Sequence, residues 1–360
     1  MPLVNLVLCM SRLPSRLRND ARREIMNLSD WLQRQWYEAK PPMALVPLSA
    51  MFRVVVAIRR LAYRKQWKQS EHLSVPVIVV GNLTVGGTGK TPLTIWLADF
   101  LTRAGYKPGI VSRGYGGRKH DKPVAVFSTS DPLEVGDEPV LIAKRTACPV
   151  YVFPRRAEAA RALLANTDCD ILIADDGLQH YALARDVEIA VVDGERRFGN
   201  GQCLPAGPLR EPVNRLAEID LVVCRGVALA NEYPLTLTLS EEAVNLTDQT
   251  LTRRLSELIG IQPLYAVAGI GNPGRFFTGL KQMGLSFEER AFPDHHAFTT
   301  EDLDFGENAT ILMTEKDAVK CRGFANQRFW TVPLQGEMPP AFGEALLQKL
   351  KVKHHGQKTA

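Results

Sequence analysis

The sequence predicts an α/β protein: a largely parallel β-sheet sandwiched by helices, a second, smaller α/β group after it, and an N-terminal membrane-associating helix. Three observations carry that expectation. From residue 75 onward, short apolar runs alternate with helical patterns. One run leads through a glycine-rich turn into a helix pattern, "VVGNLTVGGTGKTPLTIWLADFL" (79–101), and another ends on adjacent carboxylates, "DILIADDGLQH" (170–180). Strands and helices in this alternation build parallel sheets, whose ligands gather at the carboxyl ends of the strands. At 360 residues and 45% hydrophobic content, the chain can bury a sizeable core in two domains.

The first seventy residues stand apart by charge. They hold 13 Lys and Arg against 4 Asp and Glu, a balance of +9 in a chain whose total is +5. Residues 1–27 have no clear element of their own and read either as a disordered extension or as an upstream reading of a gene that starts at Met26. Residues 28–70 read as a basic membrane anchor. Its apolar run, Met43 to Ile58, is 16 residues long and contains Arg53; a spanning helix needs about 20 apolar residues. The flanks "WLQRQWYEAK" and "RRLAYRKQWK" supply the aromatic and basic residues of a helix lying at headgroup depth. An ordinary helix covering the main domain would have the same pattern. The order of charged start, apolar centre and cleavage site that marks a secretory signal is missing. The six cysteines are scattered without a C-x-x-C pair, which argues for a reducing compartment and against disulfides or structural zinc.

Residues 71–225 read as a nucleotide-binding domain with strands at 75–80, 108–112, 124–127, 149–153, 170–175, 187–193 and 220–224. Helical patterns such as "TPLTIWLADFLTRAG" and "RRAEAARALLANT" lie between them. Residues 226–250 read as a linker in which "NEYPLTLTLS" (231–240) alternates polar and apolar, the mark of an exposed strand or ribbon. Residues 251–350 form the smaller α/β domain, with "PLYAVAGI", a helix after Pro273, "ILMTEKD" and "RFWTVPL".

The glycine-rich turn misses the pattern G-x-x-x-x-G-K-[ST] by one position, because Thr84 stands where the first glycine belongs. Its chemistry survives. The candidate nucleotide contacts are Thr84, Val85, Gly86, Gly87, Thr88, Gly89, Lys90 and Thr91. The glycines let successive N–H groups face phosphate oxygens, Lys90 brings charge to the β- and γ-phosphates, and Thr91 offers a hydroxyl to Mg²⁺. The helix that follows adds its N-terminal dipole, and Pro92 suits its first turn. Asp175 and Asp176 are the candidate metal ligands, since two adjacent carboxylates at a strand end need a cation or solvent to neutralise them. Gln179 and His180 reach the same region. ATP and Mg²⁺ are the expected cofactors, and nothing calls for nucleic acid or a protein partner.

Seven motifs, "VGNLTVGGTGKTP", "VSRGYGG", "GDEP", "ADDGLQH", "LPAGPLREP", "FPDHHAF" and "TEKDAVK", follow in order. Over about residues 28–345 the chain thereby resembles the tetraacyldisaccharide 4′-kinase family. The resemblance implies a P-loop kinase-type fold and transfer of the γ-phosphoryl group of ATP to the 4′-hydroxyl of a tetraacylated glucosamine disaccharide 1-phosphate. That step belongs to lipid A biosynthesis at the cytoplasmic face of the bacterial inner membrane. It also implies that Asp137 of "GDEP" and His295 of "FPDHHAF" pair when the two domains close, the carboxylate orienting and charging an imidazole beside the acceptor hydroxyl. From the residues alone, Asp137 reads equally as a helix N-cap, His295 as a surface histidine, and His296 as its rival. Arg210 is expected toward nucleotide and Glu211 toward metal, with Arg113 and Tyr115 meeting the substrate; structural salt bridges use the same residue types. Asp317 of "TEKD" is a less defined candidate.

A lipid acceptor of this kind agrees with the basic N-terminus. Each buried CH₂ holds it in the bilayer by about 0.8 kcal/mol, so the enzyme must visit the membrane. A sugar hydroxyl also needs a positioned base at neutral pH. A regulatory GTPase or membrane-partitioning ATPase is the rival reading. Guanine recognition calls for N-K-x-D, and no such signature is present; "TEKD" resembles it only superficially. A kinase of a soluble small molecule is the nearer alternative, and the anchor discriminates against it.

Overall fold

The computed structural model describes residues 31–357, so the extension 1–27 and the first residues of the expected anchor lie outside the described residues. The chain divides into two compact units. One takes the described residues up to Leu61 together with Leu83–Val85 and Arg196–Arg215; the other takes Ala62–Asn82, Gly86–Glu195 and Leu216 onward.

In the first unit, a 3₁₀ turn at Met43–Leu45 enters helix α1 (Val46–Arg64). One side of α1 is held: buried Ser49 donates its hydroxyl to the Cys203 carbonyl at 2.8 Å, and Arg60 lies 3.9 Å from Glu211. The other side is bare. Leu48, Met51, Val54, Val55, Ile58 and Leu61 recur at helical spacing and are each 43–62% exposed. No helix among the described residues is long and apolar enough to cross a membrane. The Pro- and Gly-rich loop 204–212 is tied down by backbone bonds from Val85 N to Pro208 O and from Arg210 N to Leu83 O, and by the Trp36 indole donating to Pro205 O.

The second unit opens with strand β1 (Val77–Gly81), helix α2 (Lys90–Arg103), β2 (Pro108–Ser112) and β3 (Val124–Val126). A short turn of helix, α3 (Pro132–Val135), precedes α4 (Asp137–Arg145), β4 (Val150–Val152), α5 (Arg156–Asn166), β5 (Ile171–Ala174), β6 (Val187–Asp193), β7 (Leu221–Arg225) and β8 (Tyr233–Leu239). With β15 (Leu334–Glu337) they form a nine-stranded sheet in the order β15-β8-β7-β6-β1-β5-β2-β4-β3. All pairings are parallel except those of the two edge strands, β15 and β3. Every residue of β1, β2, β5 and β6 is buried, which is why these strands read as mostly apolar runs. β8 sits next to the edge and buries only Leu235 fully, which explains its polar alternation.

The chain then leaves for a second sheet. β9 (Glu242–Asn245), β10 (Thr252–Arg254), β11 (Leu264–Ala268), helix α6 (Pro273–Gln282), β12 (Glu288–Ala291), β13 (Thr310–Thr314), helix α7 (Glu315–Cys321) and β14 (Phe329–Val332) give the order β10-β9-β14-β13-β11-β12. The run "RFWTVPL", expected within the smaller domain, holds β14 and the first residue of β15. Pro333 has no N–H to continue the ladder and separates β14 in the second sheet from β15 in the first. The outgoing crossing lies beside this return, with Ser240 N donating to Pro333 O at 2.8 Å. Helix α8 (Pro340–Gln357) closes the chain, with Phe342, Leu346 and Leu350 in the core of the first sheet.

Gly81 sets how closely β1 approaches the chain after β5. A β-carbon there would lie 2.8 Å from Leu178 Cγ and 3.0 Å from Leu178 N. Gly81→Ala should therefore cost about 1–3 kcal/mol by overpacking and lower the thermal unfolding midpoint. An unchanged midpoint would mean that β1 has room to spare.

Candidate active site

The phosphate loop leaves the carboxyl end of β1. Buried Asn82 steadies it, donating from Nδ2 to Gly86 O at 3.3 Å, and Gln179 Nε2 in turn donates to Asn82 O at 3.1 Å. Gly86 (φ 104°) and Gly89 (φ 100°) adopt left-handed backbone that a side chain would strain. Nothing stands within 4 Å of where a β-carbon of Gly86 or Gly87 would be, so the loop is an open cradle. Thr88 is buried, and its hydroxyl is without a hydrogen-bond partner. An open cradle beside an unsatisfied buried hydroxyl fits a phosphate group. Lys90 begins α2, with Nζ 3.6 Å from Asp176 Oδ1, and half-buried Thr91 follows it.

The end of β5 supplies the carboxylates. Asp175 is buried, accepts from Thr94 Oγ1 at 3.2 Å and lies 3.4 Å from Ser112 Oγ. Burial above all, then the charges of Glu138 and Asp176, pushes its pKa up to about 7 against the opposing effects of Lys90 and Thr94. Asp176 holds a left-handed φ of 46°, its carbonyl accepting from Arg156 Nη2 at 2.7 Å. Carboxylates so crowded are stabilised by a divalent cation. Among the described residues no group of three or more His, Cys, Asp or Glu is arranged to hold a metal alone. Mg²⁺ commonly takes only one or two carboxylates and completes its shell with phosphate oxygens and water.

On the second sheet, the loop after β12 carries the histidines. His295 adopts φ 60°, a strained conformation for a non-glycine residue. Its Nδ1 lies 3.0 and 3.1 Å from the two oxygens of Asp137, the buried first residue of α4. Its ring packs edge-on against Tyr115, 5.0 Å between centroids. His296 goes elsewhere: its Nε2 is 2.9 Å from Asp302 Oδ2 and its ring lies between Phe292 and Phe298. Burial raises the Asp137 pKa, but the hydrogen bond from His295 and the charges of Lys316, His295 and Lys320 outweigh it and hold the carboxyl below its ordinary range. Burial likewise lowers His295, and Asp137 together with Asp294 overcomes both it and Lys316, leaving the imidazole above its ordinary value.

The loop and the pair are neighbours. A methyl on Gly271 would stand 3.5 Å from Asp294 Oδ2 and 3.8 Å from Gly87 N, and Glu138, which follows Asp137, is charge-coupled to Asp175. Of the other expected residues, Arg113 is exposed at the end of β2, and His180 folds back in a turn with its N–H on Gly177 O. Thr84, Val85, Arg210 and Glu211 fall in the first unit, where Thr84 bridges to Leu209 and buried Glu211 faces Arg60. Asp317 is fully buried, accepting from Gly269 N and Thr314 Oγ1 and pairing with Lys320 at 2.7 Å. The sequence reading missed Glu138, Asp294, Lys316 and Lys320. All four sit inside the quoted motifs, each beside or one turn from a residue that was named.

Comparison with known proteins gives the family and the fold. The family profile "Tetraacyldisaccharide-1-P 4′-kinase" matches residues 42–351. The chain is 50% identical to the tetraacyldisaccharide 4′-kinase of Nitrosococcus oceani over 324 residues, 90% of this chain and 95% of that one. It is 50% identical to that of Methylobacillus flagellatus over 327 residues, 90% and 97% of the two chains. Among solved structures, LpxK from Aquifex aeolicus in complex with ATP superposes with a TM-score of 0.72 at 26% identity, covering 86% of this chain and 99% of that one.

The signs of the two shifts define a pH window. Asp137 is lowered, so its contribution to stability is present above 3.8 and lost as pH falls through its folded pKa. His295 is raised, so its contribution is full below 6.5 and lost as pH rises through its folded pKa. An NMR titration of the His295 ring should show a midpoint above 6.5 that drops in Asp137→Asn. Equal midpoints would break the proposed coupling.

Proposed function

The chain belongs to the tetraacyldisaccharide-1-P 4′-kinase family, and we propose that the Lys90 loop, the β5 carboxylates and the Asp137–His295 pair carry its reaction. The enzyme transfers the γ-phosphoryl group of ATP to the 4′-hydroxyl of a tetraacyldisaccharide 1-phosphate in lipid A biosynthesis. The observation that carries the site reading is the 3.0 Å contact between His295 Nδ1 and Asp137, formed by elements of two different sheets next to the phosphate loop.

Gly86, Gly87, Thr88 and Gly89 receive the phosphates, and Lys90 follows the γ-phosphoryl group into the transition state. Thr91, Asp175 and Asp176 would hold Mg²⁺, which supplies charge neutralisation to the phosphates when bound. Asp137 accepts a hydrogen bond from Nδ1–H and thereby leaves Nε2 of His295 as the basic nitrogen. The acceptor's O–H proton moves to Nε2 as its oxygen bonds to phosphorus and the bond to ADP breaks. Tyr115, against the imidazole, and Arg113, Gln179 and His180 belong to the acceptor side in this reading. Thr84, Val85 and Arg210 toward nucleotide, and Glu211 toward metal, rest on sequence pattern. The exposed face of α1, followed by the basic run "RRLAYRKQWK", suits the headgroup region of an anionic leaflet, which supports a place at the cytoplasmic face of the inner membrane. A soluble acceptor would give that face no purpose.

Lys90→Ala should lower turnover by about 10²–10³-fold with the fold intact, the size of losing one preorganised charge donor. Kinase assays with labelled ATP and the lipid acceptor check this, and near-normal activity would remove the loop from the chemistry. Asp137→Ala and His295→Ala should each lower kcat with little change in KM for ATP. The double variant should lose little more than the worse single one, because residues acting as a unit are non-additive; multiplicative losses would separate their roles. Binding to anionic vesicles should weaken as salt shortens the screening length to about 10 Å at 0.1 M, and equal binding to neutral vesicles would reject the electrostatic part.

A further inference from the structure

We propose that Lys316 is a positioning residue for the base: its ammonium occupies the Nε2 side of His295 and disfavours a proton on that nitrogen until the acceptor arrives. The proposal rests on His295 acting as the base.

Lys316 sits in the first turn of α7, and its Nζ lies 3.0 Å from Glu138 Oε1, 3.2 Å from Asp294 Oδ1 and 3.5 Å from His295 Nε2. An ammonium has three protons. Two are taken by the carboxylates, so the third faces the imidazole. The other ring nitrogen faces both oxygens of Asp137 and therefore carries the ring proton, leaving a lone pair on Nε2 toward Lys316. The backbone that presents Lys316 is clamped: Thr314 caps α7 by accepting from Asp317 N, and Glu315 takes Arg145 at 2.7 and 2.8 Å and Leu334 N at 2.9 Å. Burial opposes the charge on Lys316, but Glu138, Asp137 and Asp294 outweigh it and hold the amine above its ordinary pKa. The cation is permanent.

A fixed cation is needed there because Asp137 alone would overshoot. A buried carboxylate bonded to an imidazole favours the imidazolium, and an imidazolium cannot accept a proton. Lys316 opposes that pull from the far side of the ring. The remaining groups around His295 divide in the same way. Asp294 Oδ2, 3.7 Å from Nε2, favours the charged ring, and Tyr115 presents only its ring edge. Lys320, 3.9 Å from Asp137 Oδ2, weakens the pull of Asp137. A contact of 3.5 Å is a weak hydrogen bond that a hydroxyl can displace. Once Nε2 takes the acceptor's proton, Asp294 is the carboxylate positioned to stabilise it while Glu138 retains Lys316.

The test pairs an NMR titration of the His295 ring with the pH profile of kcat in the full-length enzyme. Lys316→Met should raise the ring midpoint by about one pH unit or more, the effect of removing a like charge at this range. The acidic limb of kcat should move upward by the same amount, with KM for ATP unchanged. Lys316→Arg, which keeps the charge, should leave both near wild type, and it serves as the folded control if the Met variant is unstable. An unshifted ring midpoint in Lys316→Met, or a midpoint equally raised in Lys316→Arg, overturns the proposal. A raised ring midpoint with an unmoved limb, or a limb that persists in His295→Ala, instead overturns His295 as the base.

Discussion

The site depends on one buried carboxylate. Asp137 is 4% exposed at the start of α4, and an ionised carboxyl so placed is stable only with cations against it. The groups that hold it, the His295 imidazole and the Lys316 and Lys320 ammoniums, all come from the loop and helix that follow strands of the second sheet. The first sheet therefore supplies the nucleotide loop and the carboxylate, and the second supplies the proposed base and the counter-charges. Neither sheet alone builds the Asp137–His295 pair.

The acidity of the region is otherwise unfavourable for a polyanionic substrate. Asp137, Glu138, Asp175, Asp176 and Asp294 gather around the end of the sheets, and Lys90, Lys316 and Lys320 are interleaved with them. The three lysines divide the work by position. Lys90 lies at the helix terminus below the glycines, where a phosphate oxygen would join it, while Lys316 and Lys320 are committed to carboxylates. Asp175, raised to about 7 by burial and its acidic neighbours, is the group least satisfied by protein charge. A cation arriving with nucleotide would relieve it, which in the proposed reading couples metal and phosphate in one binding event.

Much of the fold was legible because the central strands are buried on both faces and so read as apolar runs. Strand β6 was anticipated at both ends, 187–193. The second sheet was less legible for a physical reason. β12 is "EERA" and β10 is "TRR", short edge strands with mostly exposed side chains that carry no apolar period. The crossing at Pro333 was hidden inside an apolar run, since Trp330 and Val332 pack into the core of the second sheet and Leu334, also apolar, opens the half-buried edge strand of the first. At the site, the glycine-lysine loop and the acidic strand end were readable from local chemistry. The contact between Asp137 and His295 spans 158 positions and has no local signal, so only the family resemblance brought the two together.

The choice between the adjacent histidines shows what backbone conformation adds to side-chain chemistry. His295 and His296 have the same imidazole and lie in the same turn, closed by His296 N on Pro293 O. The left-handed φ of His295 rotates the two side chains apart. One meets Asp137 and the Tyr115 edge, and the other enters the aromatic cluster of Phe292 and Phe298 with Asp302. A residue in that region costs about 1–3 kcal/mol, and it persists only where neighbours compensate. Here they do on both sides, since the packing of His296 fixes the turn and the Asp137 hydrogen bond rewards its conformation. The second histidine is thus an anchor for the first, and the order of the two in the chain is set by which side of the turn faces α4.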